Sequence, residues 1–120
     1  MKIESDHIRD EQLVIMHASG RIQMQDGDLF EQELGSVDSK AASRFVLDLA
    51  KCDFICSTAL GAIIATKRRL MRQGIEMRLV VDRGDVLDVI RLTMIDRIVH
   101  VEPTVAAALE SFPRLQDHGS

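Results

Sequence analysis

The chain has no tryptophan, no tyrosine and only 4 phenylalanines among its 120 residues. Its core must therefore be aliphatic, and few rings are left on which bases or sugars could stack. Positive charge is not in excess either: 15 Lys and Arg face 19 Asp and Glu, a formal net charge of -4. That balance gives no overall electrostatic footprint for nucleic acid. No apolar run approaches the roughly 20 residues that cross a bilayer. The opening Met1-Lys2-Ile3-Glu4-Ser5-Asp6-His7 is too polar for a signal peptide. These absences predict a cytoplasmic protein with no nucleic-acid partner and no direct membrane insertion. The 2 cysteines, Cys52 and Cys56, are too close in the chain to resemble a disulfide framework. Combined with His17 or His100 they match no familiar zinc spacing, and reduced thiols fit best.

What is present is an alternation of apolar runs and amphipathic segments. At 120 residues the length predicts one domain over 1–120, with a core at about 11–113 and short polar tails. There is no repeat, low-complexity tract or long linker. Leu13–Ala18 reads as a strand, Ser19-Gly20 as a turn, and Arg21–Met24 as a second short strand. Asp28–Leu34 reads as a short helix stopped by Gly35, and Ser36–Ser43 as loop. Phe45–Leu49 is apolar but for Asp48, as expected of a strand covered on both faces. Ile75–Val81 and Ile98–Val101 read as further strands. The Asp82-Arg83-Gly84-Asp85 turn leads into a helix at Val86–Leu92, and Glu102-Pro103-Thr104 opens a last helix that Pro113 ends. The expected class is α/β, with a central, mixed, mostly parallel sheet of four to five strands and about four helices. Any antiparallel pair is expected at the N-terminus.

Residues 44 to 70 are where activity is expected, because a buried strand, a short loop and a helix opening on hydroxyls meet there. Ser57 or Thr58 stands where a helix wants an N-cap, its oxygen accepting from one of the first turn's free N–H groups. The helix runs from about Ser57 to Gln73 and is closed by Gly74. Leu60, Ile63, Ile64, Leu70 and Met71 share a face with Ala59 and Ala62 at its margins, while Lys67 interrupts it and must snorkel. Lys67, Arg68, Arg69 and Arg72 form a basic cluster, either a solvated face or a rim for an acidic partner. Asp48 and Asp53 flank the loop; strand-end polarity explains them more simply than acid–base chemistry.

The segment Val46-Leu47-Asp48-Leu49, then Phe54-Ile55-Cys56-Ser57-Thr58-Ala59-Leu60-Gly61, then a helix, resembles the signature of STAS domains. The likeness is strongest to bacterial anti-sigma factor antagonists, and the order of elements follows it from about Leu13 to Phe112. The resemblance implies a STAS-like α/β fold and a partner switch in transcription regulation: an anti-sigma factor with serine kinase activity phosphorylates the antagonist, whose unphosphorylated form binds that kinase. Carried over by position, the acceptor is Ser57, with Thr58 as second candidate. The partner surface expected is Cys56, Ser57, Thr58, Ala59, Gly61, Ala62 and Arg69.

Two positions depart from that pattern, Cys56 where Asp is usual and Ala59 where Gly is usual. The resemblance implies no enzymatic activity and no cofactor for this chain, since ATP and a divalent metal would belong to the kinase. Cys56 keeps two alternatives open. One is a STAS subunit that binds a transporter or signalling scaffold without phosphorylation. The other is a Cys56-dependent enzyme or redox sensor, because helix N-termini lower thiol pKa.

Overall fold

The computed structural model describes residues 1–82 and 84–113. Among them are the strands β1 (Lys2–Ile8), β2 (Leu13–Ile22), β3 (Arg44–Asp48), β4 (Cys52–Ile55), β5 (Glu76–Val80) and β6 (His100–Glu102). The α-helices are α1 (Gly27–Gly35), α2 (Ser57–Arg72), α3 (Asp85–Leu92) and α4 (Val105–Glu110). The strands form one sheet in the order β1-β2-β3-β5-β6, and β4 pairs with the far end of β2. β1 runs antiparallel to β2, and the other pairings are parallel. Parallel neighbours need crossovers, and the helices supply them.

Alternation along the strands divides the core in two. Val14 and Met16 of β2, Phe45 and Leu47 of β3, and Met77 and Leu79 of β5 face Phe30 and Leu34 of α1, Ile63 and Leu70 of α2, and Ile90 of α3. The opposite sheet face carries Leu13, Ile15, Val46 and Val80, covered by Ala108 of α4 and by Phe112. Both faces of β2 and β3 are thus dry along most of their length, which explains their near-continuous apolar sequence. α4 spans only Val105–Glu110. Beyond its cover, the same sheet face turns polar at His17 and Asp48.

The sheet is larger than the sequence patterns predict, with six strands in place of four to five. β1 and β4 are the strands that pattern reading misses; in β1 every residue is exposed or intermediate and the alternation is weak. The N-terminal antiparallel pair is β1 with β2, in register Lys2↔Ser19 to Ile8↔Leu13. β2 does not turn at Ser19-Gly20 but continues to Ile22, with Gly20 at φ +82 where the register against β4 shifts. A glycine in the left-handed region lets the strand bend without ending. Cys52–Ile55, expected as loop, pairs with that bent end.

The helices follow expectation more closely. Gly74, at φ +74, closes α2 as Ile75 N–H returns to the Leu70 carbonyl. The buried face of α2 is Ala59, Ala62, Ile63, Thr66 and Leu70, with Leu60 and Ile64 partly buried. Met71, expected on that face, is 60% exposed. The last helix starts as expected, the Thr104 hydroxyl accepting from Ala107 N–H. Arg83 of the expected turn and the C-terminal tail at 114–120 lie outside the described residues. Among the described residues no helix is long and apolar enough to cross a membrane.

Candidate functional site

The site grows from the end of β3. The Asp48 carboxylate accepts from the Ala50 N–H at 2.9 Å and tightens the turn that follows. Cys52 N–H closes the turn on the Leu49 carbonyl at 3.0 Å, and β4 then lies along the end of β2. Cys56 N–H donates to the Ile22 carbonyl at 2.9 Å, so the chain stays on the sheet until the residue before the helix. Cys56 has extended geometry (φ -81, ψ 166), and its carbonyl accepts the first helical bond, from Leu60 N–H at 3.1 Å.

Cys56 is therefore the N-cap of α2, and the expected hydroxyl cap is corrected. Ser57 and Thr58 are the first two helical residues, and no side chain caps the helix start. The reason is tertiary: the bond to Ile22 of β2 holds residue 56, not 57, in the extended conformation that a cap requires. Ser57 is exposed. No acidic residue lies in the first turn of α2, so the positive end of the helix dipole meets no carboxylate of its own turn.

Thr58 points toward the start of α1. Its hydroxyl reaches the Met24 sulfur at 3.7 Å. A Cβ placed on Gly27 would lie 3.2 Å from the Thr58 methyl, tighter than ordinary contact, so a glycine fits that approach. Met24 is 66% exposed and Phe54 39% exposed, with the Arg21 guanidinium 4.5 Å above the Phe54 ring. The hydroxyl pair thus has exposed apolar side chains on the neighbouring elements. Met24 was not singled out by sequence, and Phe54 entered only as the first residue of the signature, not as a binding residue. Only the pairing of β4 with β2 brings Arg21 and Phe54 together.

Of the residues expected at a partner surface, Ser57, Thr58 and Gly61 are exposed. Cys56, Ala59 and Ala62 are buried and line the main core. Arg69 is half-buried and donates to the carbonyls of Val37 at 2.7 Å and Leu34 at 2.9 Å. It caps the C-terminal end of α1. Arg68 and Arg72 remain exposed on the same helix.

A reactive thiolate has to be exposed and stabilised. Both cysteines are instead buried. Burial, assisted by the nearby Asp53 charge, pushes the Cys52 thiol pKa up, and its Sγ donates to the Phe54 carbonyl at 3.2 Å.

Comparison with known proteins reaches the same elements. The STAS domain family model matches residues 3–108. An anti-sigma factor antagonist from Mycobacterium paratuberculosis is 24% identical with a TM-score of 0.80, covering 92% of this chain and 93% of its own. A candidate anti-sigma factor antagonist from Thermotoga maritima is 24% identical with a TM-score of 0.82, covering 93% and 95%. The Bacillus cell fate determinant SpoIIAA in its phosphorylated form is 11% identical with a TM-score of 0.68, covering 91% and 97%. At these identities the likeness to the solved structures shows the shared fold. No curated protein matches the chain.

Proposed function

The chain belongs to the STAS domain family, and from that premise we propose that it is a cytoplasmic, non-enzymatic binding module of the anti-sigma factor antagonist type. Its partner is an anti-sigma factor with serine kinase activity, which it binds through the exposed start of α2. Phosphorylation of Ser57 releases it. The observation that carries this reading is the exposed Ser57 at the first position of an uncapped helix whose first turn holds no carboxylate.

The chemistry asked of this chain is small. The Ser57 hydroxyl attacks the γ-phosphorus of an ATP held by the kinase, ADP leaves, and the hydroxyl proton passes to a base of the kinase. The product carries about -1.5 to -2 charges and three acceptor oxygens. A helix N-terminus accommodates that anion through its free N–H groups and its dipole, so the fold survives the modification. A partner seated on the start of α2 meets a solvated dianion that it must either desolvate or match. Affinity falls for that reason.

The docking face comprises Ser57, Thr58 and Gly61, with Met24 and Phe54 as apolar neighbours. The buried Cys56, Ala59 and Ala62 shape it from beneath. Arg69 acts through α1, and Arg68 and Arg72 are exposed cations further along the helix. Incubation with the cognate kinase and ATP–Mg, followed by mass spectrometry, tests the switch. One phosphate on Ser57 of the wild type and none on Ser57→Ala is the expected result. A wild-type chain left unmodified while it still binds the kinase rejects the switch and retains the binding module. Recovery of a transport complex in place of the kinase on co-purification favours the reading as a transporter or scaffold subunit, toward which the missing carboxylate at Cys56 points.

A further inference from the structure

The uncovered part of the α4-side sheet face holds a cluster that the docking site does not use. His17, in the middle of β2, has a carboxylate on each side. Its Nδ1 lies 2.7 Å from Asp48 Oδ2 of β3, and its Nε2 lies 3.2 Å from Asp6 Oδ2 of β1. Glu4 of β1 stands directly opposite His17 in the strand register. Lys2 of β1 pairs with Glu4 at 3.0 Å, and Lys51, from the turn after β3, borders the same groove of about 390 Å³. The charged groups facing the imidazole are therefore Lys2, Glu4 and Asp6 from β1, Asp48 from β3 and Lys51 from the turn.

An imidazolium has two N–H donors and satisfies both carboxylates, whereas a neutral imidazole has one donor and one lone pair. The shorter contact, and the more buried carboxylate, is Asp48, which is also held by the Ala50 N–H. In the neutral state the proton stays on Nδ1 toward Asp48, and the Nε2 lone pair faces the Asp6 carboxylate. The contact to β1 is the one lost. We propose that His17 is a pH-sensitive latch that holds the edge strand β1 to the sheet when doubly protonated and loosens it when neutral.

The direction of titration agrees with the geometry. Burial pulls the His17 pKa down, but the hydrogen bonds and charges of Asp48 and Asp6 outweigh it, and the net shift is upward from 6.5. A raised histidine contributes stability that is fully present below the unfolded value and lost as pH rises through the folded one. The latch is thus closed in mild acid and opens above the folded pKa, in the range where histidine charge changes in cells.

Amide hydrogen exchange at about pH 5.5 and about pH 8.5, chosen to bracket histidine titration, reads the latch once rates are corrected for intrinsic chemistry. In the wild type, protection of the β1 amides should fall roughly two- to fivefold between the two conditions, the size expected of a half-exposed ion pair. Protection in α2 should not change. His17→Gln and Asp6→Asn should each abolish the dependence. His7, the histidine of β1 itself, stands opposite Val14 in the register and is kept in both variants, so any contribution from it survives there. A fall that persists undiminished in His17→Gln overturns the latch, as does a flat wild-type profile. Asp6→Asn gives the same reading if His17→Gln does not fold.

Discussion

Gly61 is exposed on α2, and apart from its chain neighbours and the backbone of its own helix no atom lies within 4 Å of where its Cβ would stand. A glycine within a helix costs about 0.5–1 kcal/mol relative to alanine, and nothing in the packing of this chain requires one. Gly61→Ala is therefore expected to raise stability by about 0.5–1 kcal/mol in urea unfolding. On the proposed docking face it should also weaken binding to the kinase by adding a methyl where the partner's surface approaches. Unchanged affinity in a calorimetric titration would move the docking face elsewhere. Ser57 was legible in the sequence because a hydroxyl after a buried strand is a local pattern. Its neighbour's role was not: Cys56 becomes the cap through a hydrogen bond to Ile22, and a bond across that span of chain leaves no local signature.

At the scale of elements, the same difference separates what α2 is from what it holds. Its limits follow from apolar periodicity and from Gly74, both readable along the chain. The basic residues at helical spacing do not reveal that Arg69 turns toward α1, where it serves the carbonyls of Leu34 and Val37, 35 and 32 residues earlier. Hydrogen bonds involving a charged group contribute about 1.5–3 kcal/mol. Arg69→Met, which keeps the stem and loses the donors, is expected to cost about 2 kcal/mol on that basis. Thermal unfolding would register the loss, and exchange should quicken at the C-terminal end of α1 before elsewhere. Unaltered stability would mean that solvent serves those carbonyls equally well. β1 and β4 escaped sequence reading for opposite reasons: β1 is a largely exposed edge with little hydrophobic alternation, and β4 is only four residues long.

For the molecule as a whole, the α4 side of the sheet is the thinner layer, and Phe112 and Arg78 secure it. Arg78 is 7% exposed, donates from Nε to the Ser111 hydroxyl at 2.7 Å, and stacks 4.4 Å from the Phe112 ring. Phe112→Ala removes that ring from above the smaller core and is expected to cost about 3 kcal/mol. Phe112→Leu, which keeps most of the volume, should cost about 1 kcal/mol. Urea midpoints measure both, and equal losses would show that the cation–ring contact matters more than the buried volume. The order of strands and helices, the aliphatic core and the hydroxyls at the start of α2 were determined by the sequence itself, because propensity and periodicity act over a few residues. The tertiary structure alone decided strands β1 and β4, the burial of Cys56, Ala59 and Ala62, the anchoring of Arg69, and the pair of carboxylates around His17. Those carboxylates lie 31 and 11 positions away along the chain, and only strand pairing brings them within hydrogen-bonding distance of one ring.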